Sequence, residues 1–140
     1  MIKHWSETFD LPIAETEGFP TTERMRLSLD LIDEEFLETA EAVGNRNFQE
    51  VKDGLGDLLW VTVRAMMEFG IDPHDTISRI YESNMSKADV TEEDATATYK
   101  HYLKQGIETY SRQKDGLFIT YRFADNKVLK SHKFQAPDWK

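Results

Sequence analysis

Apolar positions recur at helical spacing over most of the chain. Met25, Leu29, Ile32, Phe36, Ala40 and Val43 follow one another at steps of 4, 3, 4, 4 and 3, the period of one face of an α-helix. Thr21 or Thr22 suits the N-cap of this helix, with Glu23 in its first turn, and Gly44 and Asn45 close it. A second stripe, Val51, Leu55, Leu58, Leu59, Thr62, Val63 and Met66, predicts a helix from Asn47 to Phe69 that Gly70 ends. Gly54 and Gly56 lie inside it. Each costs about 0.5–1 kcal/mol relative to alanine, and we read them as places where a neighbouring helix comes close. Asp72-Pro73 opens a third helix with Ile77, Ile80 and Met85 on its buried side. Thr91 with Asp94 resembles a capping box, Asp standing where Glu or Gln is usual. It starts a fourth helix that carries Ala95, Tyr99, Tyr102 and Leu103 and ends at Gly106.

The two ends differ from this middle. Residues 1–20 hold Pro12, Gly18 and Pro20 among scattered aromatics and read as a short helix or arm followed by a loop. Trp5 and Phe9, four apart, share a face that packs on the helices. Near the other end, Leu117–Phe123 is rich in β-branched and aromatic residues, Asp125-Asn126 is a turn signal, and Val128-Leu129 follows. This predicts a small β-hairpin packed on the helices or on a partner subunit, since a lone hairpin is marginal in water. The expected fold is all-α, a bundle of four to five helices with a small C-terminal β-hairpin. It forms one domain over 1–140, with an arm at 1–20, a helical core at 21–106 and hairpin and tail at 115–140.

Composition narrows the function classes. A chain of 140 residues can bury a core without staples. It has no cysteine, which excludes a disulfide framework and a thiolate zinc site. No apolar run approaches the roughly 18 residues of a membrane span, and the acidic first 20 residues lack a signal-peptide core, so we expect a cytoplasmic protein. The net charge of -9 repels nucleic acid phosphates, and no nucleic acid polymer or membrane is expected as a partner. Acidity of this kind is either a solvated surface or a set of carboxylates gathered for a divalent cation.

Position along the helices favours the second choice. Glu34, Glu35 and Glu38 lie three and four apart on the first long helix, and Asp53 and Asp57 lie four apart on the second, so each set shares a face. Both flank an apolar stripe, and packing the stripes together brings the two sets side by side. Like charges so gathered are costly unless protons or cations compensate. Mg2+, or Mn2+ in its place, takes oxygen ligands and bridges to substrate phosphates, which suits hydrolysis of a phosphoanhydride. A carboxylate left out of ligation can orient or deprotonate the attacking water.

Glu34-Glu35-Phe36-Leu37-Glu38 matches the EExxE motif of the all-α nucleoside triphosphate pyrophosphohydrolases, the MazG-like superfamily that includes phosphoribosyl-ATP pyrophosphohydrolase. Asp53-Gly54-Leu55-Gly56-Asp57-Leu58-Leu59-Trp60 resembles its second acidic motif. Gly70-Ile71-Asp72, Ser83-Asn84-Met85-Ser86-Lys87, the stretch from Asp125 to Ser131 and Ala136-Pro137-Asp138 resemble a phosphoribosyl-ATP pyrophosphohydrolase-like subset. The likeness runs from about Arg24 to the C-terminus. It implies a homodimer or dimer of dimers, with Glu35, Glu38 and Asp57 as Mg2+ ligands and Glu34 as a further ligand or the base. One departure stands out. The usual second motif is ExxD, but Gly54 stands three before Asp57. Asp53 is the nearest carboxylate, and a literal ExxD at Glu50–Asp53 makes Glu50 an outsider.

The residues assigned to the site are thus Glu34 and Glu38 as catalytic, Glu35, Glu38, Asp53 and Asp57 as metal ligands, and Asn84, Lys87 and Lys130 as substrate contacts. Lys87 meets a phosphate as a point charge, Asn84 a phosphate or sugar oxygen, and Lys130 reaches a neighbouring site from the hairpin. His4, His74, His101 and His132 share no spacing and read as surface or packing residues. The expected reaction is hydrolysis of a nucleoside triphosphate to the monophosphate and pyrophosphate. Phosphoribosyl-ATP hydrolysis in histidine synthesis is the alternative within the enzyme class. A non-catalytic dimeric scaffold is the alternative outside it.

Overall fold

The computed structural model describes residues 1–139, leaving Lys140 at the end of the expected tail outside the described residues. In chain order it holds α1 (Ile2–Thr8), α2 (Thr22–Gly44), α3 (Phe48–Glu68), α4 (Pro73–Met85), α5 (Glu92–Leu103), β1 (Thr109–Lys114) and β2 (Leu117–Arg122). This is the expected class, α-helical with one small hairpin. The chain gathers into two compact units, Met1–Thr76 and the residues from Ile77 on.

In the first unit, α2 starts where the Thr21 hydroxyl accepts the Arg24 N–H, and α3 where the Asn47 side chain accepts the Glu50 N–H. A three-residue turn with Arg46 at φ 55 reverses the chain between them, so α2 and α3 form an antiparallel hairpin. Their contact is built from small residues. Ser28, Thr39 and Ala42 of α2 and Gly54 of α3 are buried. A Cβ on Gly54 would lie 2.5 Å from Thr39 Oγ1 and 3.3 Å from Thr39 Cα. The Thr39 hydroxyl cannot swing aside freely, because it donates to the Glu35 carbonyl at 2.7 Å.

This contact departs from the expected one. The stripe Leu29, Phe36 and Val43 is exposed, at 65%, 56% and 58%, and Leu55 and Leu59 on α3 are exposed as well. The face of α2 turned to α3 is Ser28, Ile32, Glu35, Thr39 and Ala42. Close backbone approach needs small side chains at the crossing, so the large apolar residues are displaced to a shoulder of the hairpin.

At the open end of the pair a buried ion cluster joins the helices. The Glu68 carboxylate accepts from Arg24 Nε at 3.0 Å and also from Arg24 Nη2 and Arg64 Nη2. Arg64 Nη1 donates to the Pro12 carbonyl at 3.2 Å, and the amide of Ala14 bonds the Met67 carbonyl. These bonds hold the N-terminal arm against α3, with the Trp5 ring edge-on to Trp60 at 5.6 Å. Trp5 also meets Phe9, at 5.0 Å; Trp5 packs on α3 as expected, whereas Phe9 is exposed.

The second unit is organised by α5 and the hairpin. The Thr91 side chain accepts the Asp94 N–H as predicted. β1 and β2 pair antiparallel, Thr109 with Arg122 through Lys114 with Leu117. The hairpin therefore turns at Asp115-Gly116, both at positive φ, the Asp-Gly signal of a two-residue hairpin turn. The turn expected at Asp125-Asn126 also forms, but returns the chain only as a single bridge between Tyr121 and Val128. Asp89 pairs with Phe118 in both directions at 2.8 Å. The tail is tied to α4 by Ser83 Oγ donating to the Gln135 carbonyl at 2.8 Å. Ile77, Ile80 and Met85, expected on the buried side of α4, are exposed, and Ser83 is the buried residue there.

The two interior glycines of α3 respond differently to substitution. Nothing lies within 4 Å of a Cβ on Gly56, so Gly56→Ala should gain the helix-propensity term, about 0.5–1 kcal/mol. Gly54→Ala should lose about 1–3 kcal/mol through overpacking. Urea unfolding of both variants measures the contrast, and equal effects would mean that the helices do not meet at Thr39.

Candidate active site

The closeness of α2 and α3 decides where their carboxylates go. Along α2, residues 34, 38 and 41 fall on one shoulder, and along α3 residues 50, 53 and 57 do the same. In an antiparallel pair these shoulders border one groove. A cleft of about 320 Å³ lies there, lined by Glu38 and Glu41 from α2 and by Glu50, Asp53 and Asp57 from α3, with Ala42 and Gly54 at its floor. Glycine and alanine leave that floor open, so the cleft is bounded by five carboxylates and no basic side chain.

Glu35 stands nearer the helix contact and is half-buried. Burial first, then the negative charges of Asp57, Glu38, Glu34 and Asp53, push its carboxyl above the ordinary value of 4.5. The other four expected carboxylates thus all act on Glu35. Glu38, Asp53 and Asp57 line the cleft, Glu35 lies within their field, and Glu34 is exposed and enters through its charge on Glu35. Among the described residues no three His, Asp or Glu side chains already converge as a cation cage. The donor set still suits a hard divalent ion. It is all carboxylate oxygen, it carries uncompensated negative charge, and its exposed members can rotate inward.

Residues 2–84 match the family model of phosphoribosyl-ATP pyrophosphohydrolase. The chain belongs to this family. The match spans all of α1, α2 and α3, and hence every carboxylate of the cleft. Through the family the chain falls in the MazG-like superfamily. It is also 27% identical over 104 residues to an uncharacterized protein, L479, of Acanthamoeba polyphaga mimivirus, a stretch of 70% of this chain and 41% of that relative's length. The chain thus spans well under half of that relative.

Two carboxylates of the cleft fall outside the original assignment. Glu50 stood only as an outsider, and Glu41 was missed. The signal for Glu41 was its three-residue spacing from Glu38. Asn84, Lys87 and Lys130 belong to the second unit. Lys87 Nζ donates to Asn84 Oδ1 at 2.6 Å, so these two side chains form one polar pair. Lys130 Nζ stands over the Phe134 ring at 4.1 Å. Among the described residues no helix is long and apolar enough to cross a membrane.

The raised Glu35 carboxyl makes stability depend on pH in a defined direction. A carboxyl whose folded pKa exceeds its unfolded value binds its proton more tightly in the folded chain. Its ionisation therefore lowers stability as pH rises from the ordinary value, 4.5, through the raised one. Glu35→Gln should raise the thermal midpoint at pH 7, and the difference from wild type should shrink as pH approaches 4.5. Calorimetry between pH 4 and pH 8 reads this directly, and a difference that stays constant over the range would remove Glu35 from the cluster.

Proposed function

We propose that the protein hydrolyses the α–β phosphoanhydride of a nucleoside triphosphate, giving the monophosphate and pyrophosphate. The observation that carries this reading is the cleft in which carboxylates of two helices face one another with no basic partner. Such a surface repels a polyphosphate unless cations intervene. Glu35, Glu38, Asp53 and Asp57 are the residues that would hold them. A bound Mg2+ or Mn2+ ion would neutralise phosphate charge and lower the pKa of a coordinated water. Within the chain, Glu34 or Glu38 accepts the proton of the attacking water. The water oxygen forms a bond to the α-phosphorus as the bond to the bridging oxygen breaks, and pyrophosphate leaves. Asn84 and Lys87 act as a pair toward a phosphate or sugar oxygen, and Lys130 as a further cationic contact. A role in cleansing the nucleotide pool of the cytoplasm fits this chemistry.

A specific observation favours a second substrate, phosphoribosyl-ATP, since that is the name of the family matched. Both substrates carry the same phosphoanhydride. The test is pyrophosphate release from a panel of canonical and modified nucleoside triphosphates together with phosphoribosyl-ATP, each with Mg2+ and with EDTA. We expect metal-dependent release from one or more triphosphates, and a fall of at least a hundredfold in Glu38→Gln with the helical circular dichroism unchanged. Release from phosphoribosyl-ATP alone would assign the histidine pathway. Undiminished turnover in Glu38→Gln would remove the cleft from the chemistry.

We further propose a homodimer, or a dimer of dimers. Leu29, Phe36 and Val43 on α2 and Phe48, Leu55 and Leu59 on α3 fall on the shoulder opposite the acidic cleft, and all six are exposed. Paired apolar stripes of this extent mark an interaction face. A second copy is the occupant that the helices' own pattern suits, because two such hairpins complete a four-helix arrangement. Leu59→Asp should shift the protein toward monomer in sedimentation equilibrium, and an unchanged mass would assign the face to a different partner.

A further inference from the structure

The acidic cleft does not end at Asp57. The α2 shoulder that carries Glu41, Glu38 and Glu34 continues at steps of three and four to Leu31, Leu27 and Arg24. The α3 shoulder with Glu50, Asp53 and Asp57 continues to Trp60 and Arg64. Both helices therefore change from acidic to apolar at the same level of one groove. At the apolar end lies a pocket of about 130 Å³ between α1, α2 and α3, walled by Trp5, Leu27, Leu31, Trp60 and Val61 with Arg24 at its edge. The volume admits one ring-sized group and not a whole nucleotide. Trp5 and Trp60, edge-to-face at 5.6 Å, make one wall aromatic. Arg24 spends two N–H groups on Glu68, which fixes its guanidinium and leaves three of its five donors for a ligand. Seven residues of helix separate Glu38 from Leu31, about 10 Å along the axis, the scale of the span from the phosphates of a nucleotide to its base.

We propose that this pocket is the base site of the groove. The nucleobase lies against Trp60 and Trp5, Leu27 and Leu31 cover its faces, and Arg24 donates to its polar edge, while the triphosphate reaches back to the carboxylates. The inference rests on the nucleotide reading of the cleft and adds the residues that recognise the base. α1 thereby becomes part of the site, because the bond from Arg64 Nη1 to Ser6 Oγ at 3.5 Å and the Trp5–Trp60 contact hold it in place as a wall.

The test uses the full chain and two probes that share phosphates but differ in the base. Trp139, exposed and in the second unit, is first replaced in Trp139→Phe so that emission reports Trp5 and Trp60. Nucleoside monophosphates should then quench that emission in EDTA, whereas inorganic tripolyphosphate should not. In Leu27→Trp, made in the wild-type chain, the pocket is filled. KM for the best nucleoside triphosphate should rise tenfold or more with kcat within about twofold, and inhibition by Mg2+-tripolyphosphate should be unchanged. Hydrolysis with silent tryptophans and an unmoved KM would place the base elsewhere and leave the cleft chemistry standing. A quench without hydrolysis of any triphosphate would keep the base site and remove the hydrolase reading. A change of mass in sedimentation for Leu27→Trp would make this end of the groove a subunit contact and overturn the proposal.

Discussion

The close approach of α2 to α3 over Gly54 and Thr39 governs the arrangement of the first unit. Two helices that meet through glycine, threonine and alanine bring their backbones nearer than leucine-lined helices can. The residues on either side of the crossing are then forced apart into two shoulders. One shoulder receives the carboxylates and the other the large apolar side chains. Had Gly54 been a leucine, the helices would part, and Glu38 would no longer face Asp53 and Asp57 across a narrow cleft. The glycine that departs from the usual ExxD pattern is thus the residue that brings the remaining carboxylates together. Asp53 and Glu50 line the cleft in its place.

Packing of this kind has an electrostatic cost, and the two ends of the helix pair deal with charge in opposite ways. At the open end Glu68 is buried between Arg24 and Arg64, and its carboxylate charge is compensated within the chain. Removing one member of such a buried cluster is far more damaging than the net worth of the cluster suggests. At the turn end five carboxylates share a cleft with no arginine or lysine on its walls. The first arrangement is complete and locks the N-terminal arm through Arg64. The second is left unbalanced at Glu35, and an unbalanced cluster held by rigid helices is a place where a cation or a proton lowers the energy. Rigidity at one end therefore supports the strain at the other.

Much of the local structure was legible from spacing alone. Helix positions, a threonine cap at Thr21 or Thr22, the cap at Thr91, the shared faces of the carboxylates and the close approach at Gly54 follow from rules that act over one or two turns, whereas Gly56, read the same way, meets no neighbour. What periodicity could not supply was which face of a helix meets which neighbour. α2 carries two faces that can bury, one small and one large, and the eye is drawn to Leu29, Phe36 and Val43 because they are more apolar than Ser28, Thr39 and Ala42. The hairpin shows the same limit. Leu117–Phe123 was recognised as a strand, but both Asp115-Gly116 and Asp125-Asn126 are turn signals, and the chain uses both. The ladder formed on the side of the shorter turn, where Tyr110 can stack on Tyr121. Arg24 and Glu68 were invisible as a pair because 44 residues separate them.

The exposed shoulder bears on how the site works as well as on stability. Among the described residues, Ala42 and Ala95 are the apolar side chains that are fully buried, a small core for helices of 23 and 21 residues. Helices in proteins derive most of their stability from packing of an apolar face, and here Leu29, Phe36, Val43, Leu55 and Leu59 still face solvent in a single chain. The apolar shoulder and the acidic cleft belong to the same two helices, so whatever covers the first stiffens the frame of the second. In the proposed dimer, burial of Phe36 and Leu59 would offset the repulsion gathered among Glu35, Glu38 and Asp57. In such a dimer assembly and charge would be two sides of one helix pair: hydrophobic association on one shoulder would make a dense carboxylate array sustainable on the other.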